Sequence, residues 1–452
     1  MTPDLIARYD GLRLPRYTSY PTAPHFTPEV DGLVHAAWLA ALAPDAAASL
    51  YLHVPFCAEL CLYCGCQTTA TRRYAPVAAY VELLEREIDL VADRIGSRLP
   101  ISHLHWGGGT PTILRGSDLR RIHDRLTDRF RLERDADIAV EIDPRTITPA
   151  HVEVLASMGV NRASVGVQSF DPLVQQTIRR IQSFQETQRV VNWLRSAGID
   201  AVNLDLMYGL PYQTVENVQD TAERVLALDP DRLSLFGYAH VPWMKRHQAL
   251  LPEDVLPRGP ERVAQFAAAA ERIEKAGYVR VGLDHFAKPD DPLAVALEAG
   301  ELKRNFQGYT TDRAPALIGL GASAISSLPQ GYAQNAPSVP AYRTAIQAGR
   351  LPVARGVALT PDDRLCREVI ERLMCDLAVD LAEVCGRHKV EVARFEPELA
   401  RIDVLVGEGL ARRRGARIEV GADARDLVRV VSAVFDARLN EVDRTARHAA
   451  AL

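Results

Sequence analysis

The chain has 452 residues, of which 47% are hydrophobic and 25% are charged, a composition typical of a globular protein with room for one large domain and a smaller one. Its net charge of −5 and the lack of a continuous basic stripe argue against a nucleic-acid partner and favour a small molecule. Because no apolar run approaches the length of a membrane span and the first residues lack a signal-peptide pattern, we expect a cytoplasmic protein with no membrane partner.

The N-terminal segment, residues 1–45, is predicted to be an extended arm rather than a helix, because its prolines would interrupt helical hydrogen bonding. These prolines are Pro15, Pro21, Pro24 and Pro28. Between them, Arg16, Tyr17 and Tyr20 combine a guanidinium group with two aromatic rings, which suits contact with a flat, acidic ligand. We therefore predict that the arm lies over the active site.

From residue 46 to residue 350, short apolar runs alternate with amphipathic stretches, the pattern of β/α units around a parallel sheet. The predicted strands are 49–54, 101–106, 137–142, 162–167, 200–206 and 231–237. The predicted helices lie near 76–94, 117–130, 149–158, 184–197, 215–227 and 260–276. Such units build an α/β fold, either an open partial barrel or a doubly wound sheet, and the pattern alone does not separate the two.

Four of the seven cysteines lie within ten residues after the first predicted strand, at Cys57, Cys61, Cys64 and Cys66. Thiols this close indicate a metal site, since a structural cysteine needs no cysteine neighbours. Structural zinc usually takes two cysteine or histidine pairs from separate segments, and no second pair is present. The gaps of three and two residues suit a cubane iron–sulfur cluster. Cys66 is poorly placed to bind the same cluster, which leaves one iron open to a substrate or cofactor. The other cysteines are predicted to be buried free thiols: Cys366, Cys375 and Cys385.

Glycine or polar residues recur where four further predicted strands end. The run Gly107–Thr110 follows the second strand, and Glu141, Gln168 and Asp205 end the third, fourth and fifth strands. A tight turn, a helix cap or a salt bridge would explain any one of them. Because the carboxyl ends of parallel strands meet at one edge of a sheet, their recurrence predicts an active site at that edge.

Residues 351–452 are predicted to form a small, mainly helical domain. Thr360 can cap a helix, amphipathic helices follow, residues 417–420 resemble a strand, and a last helix is predicted near 423–439. The pattern is similar to a winged-helix-like module. Since no DNA-reading pattern accompanies it, we predict a lid packed against the larger domain.

Three sequence motifs resemble those of a known family. The stretch Cys57–Cys66 contains Cys-x3-Cys-x2-Cys with an aromatic residue before the third cysteine, which resembles the signature of radical S-adenosylmethionine (SAM) enzymes. Its Cys-Gly-Cys ending, together with Arg16–Thr22 (RYTSYPT) and Trp106–Thr112 (WGGGTPT), is similar to the oxygen-independent coproporphyrinogen III oxidase family. The likeness extends from near Arg8 to the last quarter of the chain.

The resemblance implies a partial (β/α)6 barrel in which Cys57, Cys61 and Cys64 hold a [4Fe-4S] cluster, with one SAM molecule on the open iron and a second SAM beside it. Cofactor contacts are implied for Tyr51, Tyr63, Cys66, Gly108, Gly109, Thr110, Glu141, Gln168, Arg180, Asp205, Ala239 and Ile325. Catalytic roles are implied for Cys66, Tyr51 and Gln307. Tyr51 would equally suit the core and Gln307 a loop, so those alternatives stay open.

The implied reaction is the oxidative decarboxylation of two propionates of coproporphyrinogen III to the vinyl groups of protoporphyrinogen IX. A 5'-deoxyadenosyl radical would abstract a β-hydrogen, and loss of CO2 and one electron would leave each vinyl group. We expect an unidentified electron donor and a monomeric chain. Arg72 and Arg73 are candidates for propionate contacts, although paired arginines more often form a solvated face. A haem-delivering relative, another radical SAM enzyme acting on porphyrin or haem, and an iron–sulfur electron carrier remain alternatives.

Overall fold

The structure, a computed structural model, describes residues 3–439. Its strands are, in chain order, β1 (Ala48–Val54), β2 (Phe56–Cys57), β3 (Thr69–Ala70), β4 (Pro100–Gly108), β5 (Arg131–Ile142), β6 (Arg162–Gln168), β7 (Ala201–Tyr208), β8 (Arg232–Gly237), β9 (Val279–Val281), β10 (His285–Ala287), β11 (Lys303–Asn305), β12 (Gly308–Thr310), β13 (Ala316–Leu320), β14 (Ile325–Leu328), β15 (Gly331–Asn335), β16 (Val353–Ala358), β17 (Ala378–Asp380), β18 (Ala411–Arg414) and β19 (Arg417–Val420).

Its α-helices are α1 (Pro3–Tyr9), α2 (Gly32–Ala40), α3 (Ala75–Ile95), α4 (Gly116–Arg129), α5 (Pro149–Ser157), α6 (Pro172–Thr177), α7 (Phe184–Ser196), α8 (Val215–Leu226), α9 (Gly259–Lys275), α10 (Pro292–Glu298), α11 (Val339–Gln347), α12 (Pro361–Asp376), α13 (Leu381–His388), α14 (Glu396–Gly407) and α15 (Val428–Ala433). Short 3-10 helices lie at Ala23–His25, Pro111–Ile113, Arg246–Leu250, Glu253–Val255, Val392–Phe395 and Ala422–Leu427.

A 12-stranded sheet forms the centre of the molecule, in the order β16-β15-β14-β13-β1-β4-β5-β6-β7-β8-β10-β9. The strands β1, β4, β5, β6, β7 and β8 pair in parallel, which confirms the six predicted strands. A seventh parallel strand, β13, pairs with the other side of β1. The remaining strands extend both ends of the sheet in antiparallel pairing. Within the described residues the two end strands do not pair with each other, so the sheet stays open.

The predicted helices of the β/α units are confirmed as α3, α4, α5, α7, α8 and α9. Their starts follow from local sequence, as α7 shows: the Ser183 side chain accepts from the Glu186 amide, and Glu186 accepts from the Ser183 amide. Helix α3 turns an apolar face to the main core, where Leu84 and Ile88 are fully buried. Burial of one such side chain contributes about 2 kcal/mol. Packing of these faces fixes the helices against the sheet.

The last part of the described chain, residues 360–439, is called here the C-terminal module. Its helices α12, α13 and α14 surround a three-stranded antiparallel sheet in the order β17-β19-β18. Thr360 caps α12 through a reciprocal hydrogen-bond pair with Asp363, as predicted. The main sheet continues to Ala358, past the boundary predicted at residue 350, because β16 pairs with β15.

The N-terminal segment differs from its prediction, because it contains two helices, α1 and α2. Helix α2 forms because the Asp31 side chain accepts hydrogen bonds from the amides of Leu33 and Val34. The aromatic rings of Tyr17 and Tyr20 are buried in the core of the C-terminal module, and neither lines the cavities described below. Tyr17 donates to Asp436 (3.0 Å), and Tyr20 accepts from the Ala437 amide (3.1 Å).

The helix predicted near 423–439 is also shorter than expected, since only α15 is α-helical there. After it, the Asp436 side chain accepts from Tyr17 and from the amide of Arg438, and such local bonds compete with helix continuation. The part of the C-terminal prediction that covers residues 440–452 lies outside the described residues. Across residues 3–439, no helix combines the length and the apolar character that crossing a bilayer requires.

Candidate active site

A cavity of about 250 Å³ lies at the carboxyl ends of the parallel strands, directly beside the cysteine loop. The loop after β1 supplies one wall, and residues from the ends of β4, β5, β6 and β7 supply the others. Among the predicted residues, those lining it are Cys57, Cys61, Tyr63, Cys64, Cys66, Gly108, Gly109, Thr110, Glu141, Gln168, Arg180 and Asp205. The topology therefore brings together side chains that lie far apart in sequence.

The thiols of the loop have hydroxyl and cationic neighbours. The Cys57 sulfur lies 3.2 Å from the Thr68 hydroxyl and 3.4 Å from the Thr110 hydroxyl. The Cys61 sulfur lies 3.5 Å from an Arg145 nitrogen and 3.7 Å from an Arg180 nitrogen. Hydrogen-bond donors and positive charge at this distance stabilise thiolates, the form in which cysteine binds metal. The surroundings of the loop therefore suit an anionic thiolate group.

The backbone of the cysteine loop is held by the 3-10 helix Arg246–Leu250 and the residue before it. Gln248 donates to the Tyr63 carbonyl (2.9 Å), His247 Nε2 bonds the Cys64 carbonyl (2.8 Å), and Lys245 donates to the Cys66 carbonyl (2.9 Å). These three contacts, all from a distant part of the chain, fix the path of the loop. Nothing local in the sequence around Lys245 signals this role.

The three glycines after β4 are each required by a close approach. A β-carbon at Gly107 would lie 2.6 Å from Glu141 Oε1, and one at Gly108 would lie 2.8 Å from the His53 ring. One at Gly109 would lie 2.5 Å from the Phe56 carbonyl oxygen, and Phe56 directly precedes the first cysteine of the loop. The glycine run thus allows β4 and the cysteine loop to pack closely, and it also leaves backbone facing the cavity.

Two carboxylates at strand ends face the cavity in different electrostatic states. Burial would raise the pKa of Glu141, but a hydrogen bond from His105, the charge of that histidine and a hydrogen bond from the Gly108 amide hold it below its ordinary value. Burial raises the pKa of Asp205, although Ser164 and Asn203 each donate to it. The site therefore offers one carboxylate whose pKa is held low and one that holds a proton more readily.

Asp143, Arg145 and Arg180 form a buried charge cluster next to Cys61. Arg145 donates to Asp143 at 2.6 Å, and Arg180 lies 3.5 Å from the same carboxylate. Burial would raise the pKa of Asp143, but the hydrogen bond from Arg145 and the charges of Arg180 and Arg145 lower it. Both arginines pair with this one buried carboxylate, and Arg145 also lies 4.0 Å from the exposed Glu59 carboxylate, so the cluster keeps positive charge beside Cys61. Arg180 also donates to the Gly166 carbonyl (2.7 Å), which fixes its guanidinium at the cavity wall.

Tyr51 lies behind the cavity wall rather than on it. Its hydroxyl is 3.0 Å from His53 Nδ1, and His53 Nε2 is 2.9 Å from the Gln67 carbonyl, so Nε2 carries the proton and Nδ1 accepts from Tyr51. Burial lowers the pKa of His53, which keeps it neutral. The edge of the Tyr51 ring lies close to Gly107. A β-carbon added to Gly107 would be only 3.0 Å from Cε2 of the ring. Tyr51 therefore supports the glycine run from below.

A model of the radical SAM superfamily matches residues 51–225. An oxygen-independent coproporphyrinogen III oxidase from Bradyrhizobium diazoefficiens is 52% identical over 440 residues, which cover 97% of this chain and 98% of that protein. The chain belongs to the oxygen-independent coproporphyrinogen III oxidase family. A second relative of the same name, from Paracoccus denitrificans, is 44% identical and spans 94% of each chain.

The solved structure of the coproporphyrinogen III oxidase HemN from Escherichia coli, described as a radical SAM enzyme, superposes with a TM-score of 0.90. The two are 38% identical, and the match covers 94% of this chain and 98% of that chain. The parallel part of the main sheet is thus the partial barrel of a radical SAM enzyme, and the sequence-based alternative of a doubly wound sheet is wrong.

The cysteine loop fits the cofactor set of a radical SAM enzyme, a [4Fe-4S] cluster and SAM. Among residues 3–439, no group of three or more His, Cys, Asp or Glu side chains is arranged around a single metal position. A cubane cluster makes a different demand, since each thiolate binds a separate iron, and Cys57, Cys61 and Cys64 border one cavity. With Arg145 and Arg180 beside Cys61, the donor set and the local charge both suit an anionic cluster.

The other predicted positions lie outside this cavity. Gln307 lines a second cavity inside the barrel, where Asp205 and Glu141 are shared walls. Ala239 lines a third cavity, after β8. Ile325 begins β14, and its backbone packs against Gly319, the register partner of Tyr51 in β13.

Arg72 and Arg73 are exposed, and Arg72 forms only a surface contact with Glu59 (3.4 Å). Cys66 is exposed at the end of the loop, with its amide 3.4 Å from the Cys64 sulfur. The three cysteines outside the loop are buried free thiols, as predicted: Cys366, Cys375 and Cys385.

Sequence reasoning missed several side chains that position this family's site. Arg145 follows Asp143 by two residues at the same strand end, so its place in the loop after β5 was a usable signal. His53 lies on β1 and His105 lies on β4. The alternating pattern of a strand does not show whether such a residue faces a site or the core. The bonds from Lys245, His247 and Gln248 depend on tertiary packing alone.

Proposed function

We propose that this chain catalyses the oxygen-independent conversion of coproporphyrinogen III to protoporphyrinogen IX, by oxidative decarboxylation of two propionate side chains to vinyl groups. The observation that carries the proposal is the 52% identity to a relative of that name over 97% of the chain. The cysteine loop and the cavity beside it lie within that span. The proposal accordingly concerns the whole chain rather than the barrel alone.

When bound, the cluster and SAM would supply the difficult chemistry, a one-electron route to abstraction of a hydrogen atom from the substrate. The protein's residues bind and orient. Cys57, Cys61 and Cys64 hold the cluster, and Arg145 and Arg180 offset its negative charge. The backbone of the glycine run and Thr110 offer polar groups to the amino acid part of SAM.

The two strand-end carboxylates have separate tasks in this proposal. Glu141, kept ionised by His105, suits a cationic or hydroxyl group of a SAM molecule. Gln168 on β6 and Asp205 on β7 face the same space and add hydrogen-bonding groups. Arg180 suits the carboxylate of SAM because its guanidinium is already fixed at the wall. Gln307 faces the barrel interior and is proposed to contact the substrate.

A second SAM molecule is part of the proposal, with Ala239, Ile325 and Tyr51 near it. Their positions support this. Phe236 of β8 lines the cofactor cavity, and the next residue, Gly237, lines the neighbouring cavity together with Ala239. Tyr51 lies beneath the glycine run. The N-terminal segment and the C-terminal module are proposed to cover the barrel mouth and exclude water from the radical. Arg16 of that segment reaches the end of β8, where it donates to the Gly237 carbonyl (3.1 Å).

The test is an anaerobic assay of reconstituted protein with dithionite, SAM and coproporphyrinogen III, in which porphyrin products and 5'-deoxyadenosine are separated by chromatography. The proposal expects protoporphyrinogen IX, with 5'-deoxyadenosine formed in step, and Cys66→Ser measured in parallel defines the role of that thiol. SAM cleavage without decarboxylation would support the radical SAM activity but contradict the assignment of coproporphyrinogen III as the substrate. Tight haem binding with neither reaction would favour a haem-delivering protein.

A further inference from the structure

A cavity of about 380 Å³ lies beside the cofactor cavity, where the N-terminal segment, the barrel and the C-terminal module meet. Its volume is in the range of small-molecule sites. Its charged lining consists of six arginines and three aspartates: Arg13, Arg16, Arg258, Arg262, Arg304, Arg429, Asp10, Asp284 and Asp426. A chain with a net charge of −5 thus concentrates positive charge around one cavity.

The cavity lies next to the cofactor site at the ends of β7 and β8. On β7, Met207 lines the cofactor cavity and Tyr208 lines the arginine cavity. On β8, Phe236 and Gly237 divide in the same way. Because successive strand residues point to opposite faces, the two cavities lie on either side of these strands and share no lining residue. Both strands end here, at Tyr208 and Gly237, so a ligand of tetrapyrrole size that bridges the cavities passes around the strand ends.

The three aspartates of the lining balance its six arginines only in part. Burial would raise the pKa of Asp284, but the hydrogen bond from His285 and the charges of His285, Arg304 and Arg16 lower it. Asp284 accepts from His285 Nδ1 (2.8 Å), and Asp426 pairs with Arg280 outside the cavity lining. Nε of Arg262, and Nε and Nη1 of Arg304, are buried without a hydrogen bond to any residue in the described part of the chain. Guanidinium donors buried in this way are costly unless an acceptor is supplied.

The positive charge of Arg16 also makes neighbouring arginines harder to keep protonated. Burial lowers the pKa of Arg429 to about 10, and the nearby charge of Arg16 lowers it further. Burial and the charge of Arg16 also lower the pKa of Arg262. An anion bound between these side chains would relieve both the desolvation and the mutual repulsion.

We propose that this cavity binds propionate carboxylates of the porphyrinogen, through Arg16, Arg262, Arg304 and Arg429, while another propionate extends into the cofactor cavity. The inference rests on the proposed function and names the substrate contacts of that site. A planar guanidinium matches a carboxylate with two hydrogen bonds, which orients as well as binds. These cavity-lining arginines thereby replace Arg72 and Arg73, which line none of the cavities described above, as the carboxylate contacts.

The carboxylate of a SAM molecule has the same chemistry, so the experiment must separate the two ligands. It uses the full, anaerobically reconstituted chain and compares Arg262→Gln, Arg262→Lys and Arg304→Gln with the wild type. Arg343→Gln, an exposed arginine on α11, is the matched control. Affinity for coproporphyrin III, the stable oxidised tetracarboxylate, is measured by fluorescence quenching, and affinity for SAM by equilibrium dialysis. Thermal melting and iron content check that each variant is folded and loaded.

The expected result is a loss of coproporphyrin III affinity of about tenfold or more in the two glutamine variants, the usual effect of removing a charge-assisted hydrogen bond. Arg262→Lys should retain part of the affinity, and SAM affinity should stay unchanged. The KM for coproporphyrinogen III should rise in the same variants.

Unchanged porphyrin affinity in both folded glutamine variants would overturn the assignment while leaving the decarboxylase activity in place. Loss of SAM affinity in place of porphyrin affinity would assign the cavity to SAM and overturn it as well. If the wild-type protein neither binds coproporphyrin III nor decarboxylates the porphyrinogen, the proposed function itself fails, and the carboxylate assignment fails with it.

Discussion

At the scale of single residues, Gly109 shows how the site depends on a missing side chain. A β-carbon there would lie 2.5 Å from the Phe56 carbonyl and 2.5 Å from the Thr68 hydroxyl, and both groups adjoin Cys57. We predict that Gly109→Ala displaces the start of the cysteine loop, at a cost of about 1–3 kcal/mol, and lowers iron content and activity together. Gly386→Ala is the matched control, because a β-carbon at Gly386 has no neighbour within 4 Å. Full iron loading of Gly109→Ala would contradict this reading of the glycine run.

Glu87 is a buried carboxylate far from the cysteine loop. It accepts from Asn335, from the Gly321 amide and from Tyr342, each at 2.6 Å. Burial nevertheless raises its pKa from 4.5 to about 7, since these hydrogen bonds offset only part of the desolvation. Between these two values the folded protein holds a proton that the unfolded chain has released. Its contribution to stability is therefore complete below pH 4.5 and is lost as the pH rises towards 7.

We predict that Glu87→Gln removes this pH dependence. Relative to the variant, the wild type should lose about 3 kcal/mol of unfolding free energy as the pH rises from 4.5 to above 7. Denaturant unfolding at several pH values measures it, with Glu82→Gln, an exposed carboxylate on the same helix, as the control. Parallel stability curves for wild type and Glu87→Gln would show that the buried carboxylate does not titrate in this window.

At the same scale, the sequence predicted the residues whose spacing carries the chemistry, such as Cys57, Cys61 and Cys64. It assigned Tyr17 and Tyr20 wrongly, because an aromatic residue between prolines suits a ligand and a core equally well. Tyr51 remained open for the same reason, and the structure places it under the glycine run, where no periodicity could have assigned it.

At the scale of elements, the 3-10 helix Arg246–Leu250 holds the cysteine loop in place. Gln248 is fully buried, donates to the Tyr63 carbonyl and accepts from the Val241 amide (2.6 Å). We predict that Gln248→Ala leaves these groups unsatisfied, at a cost of about 1–3 kcal/mol, and speeds loss of iron to a chelator. Gln347→Ala, at an exposed helical position, should lose iron at the wild-type rate. Equal rates for both variants would mean that the loop keeps its shape without this contact.

The β/α units were predictable because each is built from local signals: an apolar run, a turn and an amphipathic helix. Strands β13 to β16 were missed, since β13 follows no helical unit and pairs with β1 across more than half of the chain. The three residues of β9 and of β10 are too short to show alternation. Both additions depend on partners that are distant in sequence.

At the scale of the whole molecule, the N-terminal segment and the C-terminal module share one hydrophobic core. Leu14, only 3% exposed, lies in that core, whereas Leu33 is 81% exposed. We predict that Leu14→Ala destabilises the protein by about 2–5 kcal/mol in denaturant unfolding, and that Leu33→Ala has little effect. Equal stability of the two variants would contradict a structural role for the segment.

The domain plan was predictable only in outline. The prolines indicated a segment that lies on another surface, but its helices and its place in the core of the C-terminal module depend on contacts between opposite ends of the chain. The same assembly creates the arginine cavity, which no single stretch of sequence encodes. Long-range packing therefore decides the arginine cavity, whereas local motifs decide the cysteine loop.

The most direct test of the central claim follows one hydrogen atom. Coproporphyrinogen III deuterated at the β-carbons of its propionates is incubated anaerobically with the reconstituted chain, SAM and dithionite, and the 5'-deoxyadenosine is analysed by mass spectrometry. Our account predicts one deuterium in the 5'-deoxyadenosine for each vinyl group formed. Vinyl products accompanied by unlabelled 5'-deoxyadenosine would contradict hydrogen abstraction at that carbon, and with it the mechanism proposed for this site.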